Sequence, residues 1–253
     1  MYWEYLKTEL PFKNPKSLKF ELNYYLSTLN RAEKIFDILN YFVKIDLKNK
    51  KVLDAGCGSG GISLLLSKRN VNCIGIDSDT GRINLAKKIA KQKGIKAKFV
   101  AGDLNKNAFQ EGSFDIITAI DFIEHVDSRK MILTLMKYLN KEGMLIFKIN
   151  NFLFPYEPHI KVLFLHYLPT RLIDSYLRIF YADFFRHYSS YEEIKIPTYF
   201  ELKRILEGFD FEIFPIFYPF LPDKRHKILN KIFTSKIMNL FGQSWIVVCK
   251  HKK

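Results

Sequence analysis

The 253 residues are enough to bury a full hydrophobic core, and 48% hydrophobic with 26% charged residues is typical of a globular protein. The three cysteines are widely spaced and form no CxxC pair, which argues against a disulfide framework or a cysteine zinc site and favours a reduced, cytoplasmic protein without a metal. The net charge of +14 is compatible with a nucleic acid or an anionic membrane, but the basic residues are spread along the chain rather than gathered in one arm.

The first part of the chain changes character at residue 44. Residues 1–43 are a mixed lead-in that ends in a predicted helix over 31–43, where apolar residues recur at helical spacing. Strands then alternate with helices over 44–150, which is typical of a mostly parallel sheet covered on both faces. The predicted core elements are strand Lys51–Asp54, helix Gly61–Lys68, strand Asn72–Asp77, helix Thr80–Lys93, strand Lys96–Val100, strand Phe114–Ile120, helix Val126–Leu139 and strand Gly143–Ile149.

The alternation stops after residue 150. Residues 151–197 are rich in Phe, Tyr, His and Pro, and we expect a helical insertion that can act as a lid over the acceptor site. Residues 198–253 close the domain with predicted helix Thr198–Leu206 and strands Phe209–Phe214 and Ser244–Lys250, joined by a partly helical connection over 217–241. We therefore predict a single domain over 1–253.

Four acidic residues lie at or just after the ends of predicted strands: Asp54, Asp77, Asp103 and Asp121. Ligands of parallel sheets bind at the carboxyl ends of the strands, so these side chains are expected at one site. The glycines after the first strand leave bare backbone at a tight turn. The run Gly56–Gly61 also fits the GxGxxG pattern of NAD sites, so the loop alone does not identify the ligand.

The acids favour S-adenosylmethionine over NAD. This cofactor has no phosphate, and it carries an ammonium group, a ribose diol and an adenine. Asp54 suits the ammonium group, Asp77 suits the ribose hydroxyls, and Asp103 with the Leu104 backbone suits the adenine. Asp77 would serve NAD equally well, so the extra acid Asp103 makes the difference. Each of these acids could instead be a helix cap or turn residue.

Several segments resemble class I methyltransferases. Val52–Gly60 resembles their motif I, and Ile74–Asp77, Gly102–Asp103, Ser113–Ile117 and the EHV-like Ile123–Val126 of the small-molecule branch follow in the usual order. Leu139–Leu145 resembles the turn before their fifth strand, with Glu142 in place of a glycine. The resemblance implies an α/β Rossmann-like fold: a mostly parallel seven-stranded sheet with an antiparallel last strand and a helical insertion after strand five. The expected cofactor-binding residues are Asp54, Gly56, Cys57, Gly58, Gly60, Asp77, Ser78, Asp103, Leu104 and Asp121.

Two histidines are candidate catalytic bases. His125 follows the fourth strand, near the expected methyl donor, and an imidazole can accept a proton from a hydroxyl at neutral pH. It could also simply cap or pack against the next helix. His159 lies in a stretch over 152–169 that resembles methyltransferases of surface-polysaccharide and lipid-linked glycan pathways, although Ile160–Val162 replaces the usual small residues.

Side chains of that stretch are the candidate acceptor contacts. We expect the acceptor to be held by Tyr156, Glu157, His159, His166 and Tyr167. An aromatic core for the insertion explains the same composition. The following amphipathic segment, 172–185, has Arg171, Arg178 and Arg186 along it and could lie on a membrane surface or receive a lipid carrier. Packing inside the protein or in a dimer is the alternative.

The sequence thus predicts an S-adenosylmethionine-dependent methyltransferase that acts at oxygen of a small-molecule or lipid-linked acceptor. The position after strand four lacks the NPPY-type motif of base-N methylases, and no cysteine is placed for attack on cytosine. The alternatives are an RNA methyltransferase and a non-catalytic cofactor-binding subunit. We predict a cytoplasmic protein because no signal peptide is recognisable and no uncharged apolar stretch reaches about 18 residues. A peripheral contact with the inner face of the membrane is compatible with this.

Overall fold

A seven-stranded sheet runs through the computed structural model, which describes residues 28–157, 162–181, 189–216 and 242–252. Its strands are β1 (Lys51–Ala55), β2 (Asn72–Asp77), β3 (Lys98–Ala101), β4 (Phe114–Ile120), β5 (Leu139–Asn150), β8 (Phe209–Ile216) and β9 (Ser244–His251). They lie in the order β3-β2-β1-β4-β5-β9-β8. The strands from β1 to β5 pair in parallel, whereas β9 is antiparallel to both β5 and β8. The predicted sheet with its antiparallel last strand is confirmed.

Helices cover the sheet, and they begin at the predicted residues or up to three residues away from them. They are α1 (Thr28–Val43), α2 (Gly61–Lys68), α3 (Thr80–Gln92), α4 (Ser128–Tyr138), α5 (Thr170–Phe180) and α6 (Tyr199–Leu206). Side-chain caps set three of the starts. Asp79 accepts from the Arg82 N–H and Asp127 from the Lys130 N–H, while Thr198 and Glu201 form a reciprocal capping box.

The core lies on both faces of the sheet. Val52 and Leu53 are adjacent in β1, both are fully buried, and they belong to opposite clusters because successive side chains alternate across a strand. Leu53 packs with Trp245 of β9 on one face. Val52 lies with Phe36 of α1 on the other, which fixes α1 beside the first strand. The continuous apolar character of β1 follows from this two-sided burial.

Strand β5 and the insertion differ from expectation. The strand β5 begins at Leu139 rather than at residue 143, because Phe114 pairs with Leu139 and Ile116 with Met144, so the predicted turn is an irregularity within the strand. The described part of the insertion is mixed rather than purely helical, since β6 (Tyr156–Glu157) and β7 (Val162–Leu163) form a small hairpin before α5. Of the amphipathic segment 172–185, the part up to residue 180 belongs to helix α5, and residues 182–185 lie outside the described residues.

Other expectations fall on parts that the structure does not describe. The start of the lead-in, the connection over 217–241, His159 and Arg186 lie outside the described residues. Among the residues that are described, the helices are too short or too polar to cross a bilayer.

Candidate functional site

The loop after β1 is shaped by glycines with left-handed backbone. Gly56 has φ +65°, and a Cβ atom at this position would lie 2.2 Å from the Phe122 ring, so packing excludes any side chain. Gly58 has φ +52°, and the nearest described atom to a Cβ there would be Arg82 Nη1 at 3.9 Å. Gly60, at the N-terminus of α2, ends the loop. The backbone of Gly58 is therefore the open part of the loop.

The end of β2 is hydrogen-bonded to this loop. The Gly58 N–H donates to Asp77 Oδ2 at 2.8 Å, and the Asp79 N–H donates to Asp77 Oδ1 at 2.9 Å. The Cys57 N–H donates to the carbonyl of Ile76 at 2.9 Å. These bonds hold the Asp77 carboxylate beside the glycine loop, as expected of neighbouring strands that end at the same edge. Ser78 follows as an exposed residue.

Asp54 is a buried carboxylate below the loop, with only 3% of its surface exposed. One oxygen accepts the N–H and the hydroxyl of Ser63 at 3.0 and 2.7 Å, and the other accepts the Thr118 hydroxyl at 3.2 Å. Burial raises the pKa of Asp54 to about 6, although the bonds from Ser63 and Thr118 oppose the shift. Asp54 therefore carries a charge that a nearby cation would stabilise.

Five of the predicted cofactor residues line one cleft. They are Asp54, Gly56, Cys57, Gly58 and Asp121. Burial raises the pKa of Cys57, so its thiol is a neutral wall of the cleft rather than a nucleophile. The cleft is completed by Ala32 and Ile35 of α1 and by Arg82 of α3, which the sequence did not single out. The apolar spacing of α1 indicated a helix but not that it would cover the loop.

Asp103 and Leu104 lie next to Asp77. The Gly102 N–H donates to the Asp77 carbonyl at 2.9 Å, which joins the end of β3 to the end of β2. Asp103 accepts the N–H and the side-chain amide of Asn105 at 2.9 and 3.2 Å, and these bonds lower its pKa. Leu104 is buried. Asp103 therefore does serve as a turn residue, which was the alternative that the sequence left open. In this turn its carboxylate stays ionised.

A charged pair that the sequence did not predict lies on the other side of the cleft. The Lys148 amine on β5 hydrogen-bonds to Asp121, which has φ +51° directly after β4. Burial disfavours the charge on Lys148, but Asp121 and Glu124 outweigh this and raise its pKa. The sequence does contain a signal for this pair. Lys148 is a lone lysine within the apolar run 144–149, and a lysine in a buried strand needs a partner.

A buried polar network continues from this pair. Glu124 is fully buried and accepts the Asn150 side-chain amide at 2.9 Å, and Asn150 in turn accepts the Ser244 hydroxyl at 3.0 Å. His125 is half-buried in the same short turn, Ile123–His125, and its backbone N–H donates to the Phe122 carbonyl. The first candidate base therefore lies next to the network.

Of the predicted acceptor residues, Glu157, His166 and Tyr167 are described, and they do not belong to the lining of this cleft. Glu157 is fully buried, and its carboxylate together with burial raises the pKa of Tyr191. His166 is 6% exposed and packs against the rings of Phe152 and Tyr167. Tyr167 itself is exposed, and its hydroxyl donates to the Leu153 carbonyl at 2.7 Å. Tyr156 begins β6. Within the described ranges, Glu157 and His166 thus belong to the interior of the insertion, and no group of three metal-ligating side chains was found.

The core of the chain is similar to known proteins. A family model described as a methyltransferase domain matches residues 46–158. A ubiquinone biosynthesis O-methyltransferase of Coxiella burnetii (strain Dugway 5J108-111) is 34% identical over 109 residues, which cover 43% of this chain and 47% of that protein. The chain therefore spans about half the length of the curated relatives it matches.

Solved structures resemble the chain over most of its length. A SAM dependent methyltransferase from Archaeoglobus fulgidus has a TM-score of 0.53 at 18% identity, covering 91% of this chain and 99% of that one. The plantazolicin methyltransferase BpumL, solved in complex with SAH, has a TM-score of 0.56 at 20% identity, covering 95% of this chain and 92% of that one. At these identities the likeness shows the fold, and it agrees with the strand order described above.

Proposed function

We propose that this chain, whose residues 46–158 match the family model of a methyltransferase domain, is a class I methyltransferase that transfers a methyl group from S-adenosylmethionine to an oxygen atom of a small acceptor. One observation carries the proposal. The Asp77 carboxylate and the bare Gly58 backbone are hydrogen-bonded to each other, and Gly58 shares its cleft with the buried Asp54. This arrangement offers an open backbone together with one carboxylate for a diol and a second carboxylate for a cation.

The donor set fits the cofactor. Asp77 would accept the ribose hydroxyls, Asp54 would face the ammonium group, and Asp103 with the Leu104 backbone would bind the adenine. Gly56, Cys57, Gly58, Gly60, Ser78 and Asp121 would form the rest of the binding surface. NAD fits less well, because Asp54 and Asp121 line the part of the cleft where a pyrophosphate would approach the loop. Arg82, which also lines the cleft, already forms a salt bridge with Asp79, with 3.5 Å between Nε and Oδ2.

The reaction needs mainly orientation from the protein. S-adenosylmethionine supplies an electrophilic methyl group on a sulfonium. Residues on the β4 and β5 side of the cleft would orient the acceptor, with Asp121 fixed by Lys148. His125, next to the Glu124 network, is the proposed group that removes the proton from the acceptor hydroxyl. His159 is a second candidate for that role.

The acceptor is proposed to be a small molecule. The similarity to proteins named ubiquinone biosynthesis O-methyltransferases supports methylation at oxygen, over less than half of this chain. More specifically, we propose that the acceptor is lipid-linked or a glycan. We also propose a peripheral contact of the protein with a membrane. Both draw support from the exposed aromatic and apolar side chains of the insertion. Tyr156, His159 and Tyr167 are the proposed acceptor contacts there.

The first test is calorimetric titration of the purified protein with S-adenosylhomocysteine and with NAD. We expect micromolar binding of S-adenosylhomocysteine alone. The binding should be lost in Asp77→Ala and kept in Asp210→Ala, a control at an exposed acid of β8. Binding of NAD, or of neither ligand, would overturn the proposal.

Turnover then separates the remaining alternatives. A labelled methyl donor would be offered to small phenolic and polyprenylated hydroxyl compounds and to total RNA. Labelled small molecules are the expected result. Labelled RNA would favour an RNA methyltransferase, and cofactor binding without any labelled product would favour a non-catalytic subunit.

A further inference from the structure

Helix α5 of the insertion buries one apolar row and exposes another. Ile173 and Leu177 lie in the interior of the insertion. Leu172, Ile179 and Phe180 are 57%, 73% and 66% exposed. Residues three, four and seven apart share one face of a helix, so Leu172 and Ile179 belong to the same exposed row, with Phe180 beside it. The helix thus has an apolar row that stays exposed beside the part of the chain that the structure describes.

The exposed row continues onto the preceding segment. Leu163 and Phe164, in and directly after β7, are 60% and 59% exposed, and the Phe164 ring lies 6.2 Å from the ring of Tyr167. Leu168, two residues before α5 begins, is exposed as well. We use the name α5 face for Leu163, Phe164, Leu168, Leu172, Ile179 and Phe180. Exposed apolar side chains that are concentrated in one segment of a folded protein are typical of an interaction surface.

The charge beside the α5 face is positive. Arg171 and Arg178 are exposed, and because they are seven residues apart they lie on one side of α5, next to the apolar row. Asp174, the acidic residue of this helix, accepts the Ser190 hydroxyl and the Tyr191 N–H, both at 2.8 Å, and is therefore used inside the insertion. The whole chain has a net charge of +14. An apolar row flanked by arginines is the pattern of a helix that lies in a membrane interface.

We propose that the α5 face binds the protein to an anionic lipid surface, with the apolar side chains entering the interface and Arg171 and Arg178 contacting phosphate headgroups. A second copy of the chain is the less favourable occupant. A symmetric dimer through this face would bring the arginines of both copies together without acidic partners from α5. The inference is independent of the proposed reaction, since lipid binding needs neither cofactor nor acceptor.

The test is sedimentation of the full chain with vesicles. One set contains phosphatidylcholine alone, and the other contains equal parts of phosphatidylcholine and phosphatidylglycerol. We expect binding to the anionic vesicles that weakens with salt. The Leu172→Asp/Ile179→Asp variant should bind at least about tenfold more weakly, because its apolar row is interrupted. Arg171→Gln/Arg178→Gln should lose about 25-fold on anionic vesicles, since each arginine near such a surface contributes about fivefold.

Controls separate the surface from the fold and from catalysis. Leu133→Asp changes an exposed leucine on α4 and should bind vesicles like the natural chain. All variants should keep their melting temperature and their affinity for S-adenosylhomocysteine. A failure of the lipid-binding proposal would therefore be distinguishable from a failure of the proposed function. Equal vesicle binding by the natural chain and Leu172→Asp/Ile179→Asp would overturn the proposal. So would absence of binding, or a dimer in gel filtration that Leu172→Asp/Ile179→Asp dissociates.

Discussion

Asp77 and Gly58 are joined by a hydrogen bond of 2.8 Å that connects the end of β2 to the glycine loop after β1. The other carboxylate oxygen of Asp77 accepts the Asp79 N–H, and the Asp77 carbonyl accepts the Gly102 N–H. Asp77 therefore holds three segments of the site together before any ligand is present. A substitution of Asp77 acts on the loop as well as on the proposed ribose contact, so the loop requires a test of its own.

Gly58→Ala is expected to weaken S-adenosylhomocysteine binding at least about tenfold, because a methyl group would project from backbone that the ligand must approach. Gly94→Ala is the matched control. Its φ of +63° is close to the +52° of Gly58, and no described atom lies within 4 Å of its Cβ position. Both variants should lose about 1 kcal/mol of unfolding free energy through left-handed strain. Urea unfolding and calorimetry would check this, and normal ligand affinity in Gly58→Ala would contradict the position of the loop in the site.

Asp54→Asn is expected to raise the free energy of unfolding at pH 8 by up to about 3 kcal/mol and to have little effect at pH 4. Burial raises the pKa of Asp54 from 3.8 to about 6, so the folded state holds the proton more tightly than the unfolded chain. The stability that the protonated carboxyl gives is complete below pH 3.8 and is lost as the pH rises through about 6. Asparagine has no charge to desolvate, and its oxygen can still accept from Ser63.

Urea unfolding of Asp54→Asn at several pH values would measure this effect, with Asp210→Asn as an exposed control. The same variant should bind S-adenosylhomocysteine poorly, since it no longer offers a charge to the ammonium group. A more stable protein with weaker ligand binding would identify Asp54 as a residue kept for function. An unfolding free energy that does not differ between the two proteins at pH 8 would refute the argument.

The sheet and the glycine loop after β1 could be predicted because each depends on local sequence. A parallel strand that is buried on both faces, such as β1, is a short continuous apolar run, and the acid at the end of β2 marks where the strand stops. The hairpin β6–β7 escaped prediction because strands of two residues show no period. The mixed composition of the insertion therefore suggested helix throughout.

The Lys148–Asp121 pair could not be predicted because it depends on register. Ile120 of β4 pairs with Lys148 of β5, which brings the lysine beside Asp121, 27 residues away in sequence. Nothing local to either residue specifies that alignment. The position of α1 over the loop is a tertiary result of the same kind, since Ala32 and Ile35 have the spacing of any helix that packs on a core.

Lys148→Met is expected to lower the unfolding free energy by about 2 kcal/mol, because Asp121 and the buried Glu124 lose their cation. Lys141→Met, at an exposed position of the same strand, is the control. The cost should be smaller when Asp121 is already asparagine, and a double-mutant cycle would give the coupling as about 1 kcal/mol. Strictly additive effects of Lys148→Met and Asp121→Asn would contradict a direct pair.

His166→Phe is expected to reduce the loss of stability in acid. Burial lowers the pKa of His166 below its usual 6.5, so the unfolded chain binds the proton more readily, and stability falls as the pH drops below 6.5. The His166 ring centroid lies 5.1 Å from that of Phe152 and 4.4 Å from that of Tyr167. Phenylalanine would keep these ring contacts without a titrating group. Urea unfolding at pH 5 and pH 8 would measure the difference, with His251→Phe at the end of β9 as the comparison.

The result for His166 also bears on the two interpretations of the aromatic segment. A His166→Phe variant with a flatter pH profile and unchanged methyl transfer would assign His166 to the core of the insertion. If the pH profile stayed the same while the Michaelis constant for the acceptor rose, His166 would contact the acceptor after all. The second outcome would require the insertion to open, because a ring that is 6% exposed has little surface for a ligand to reach.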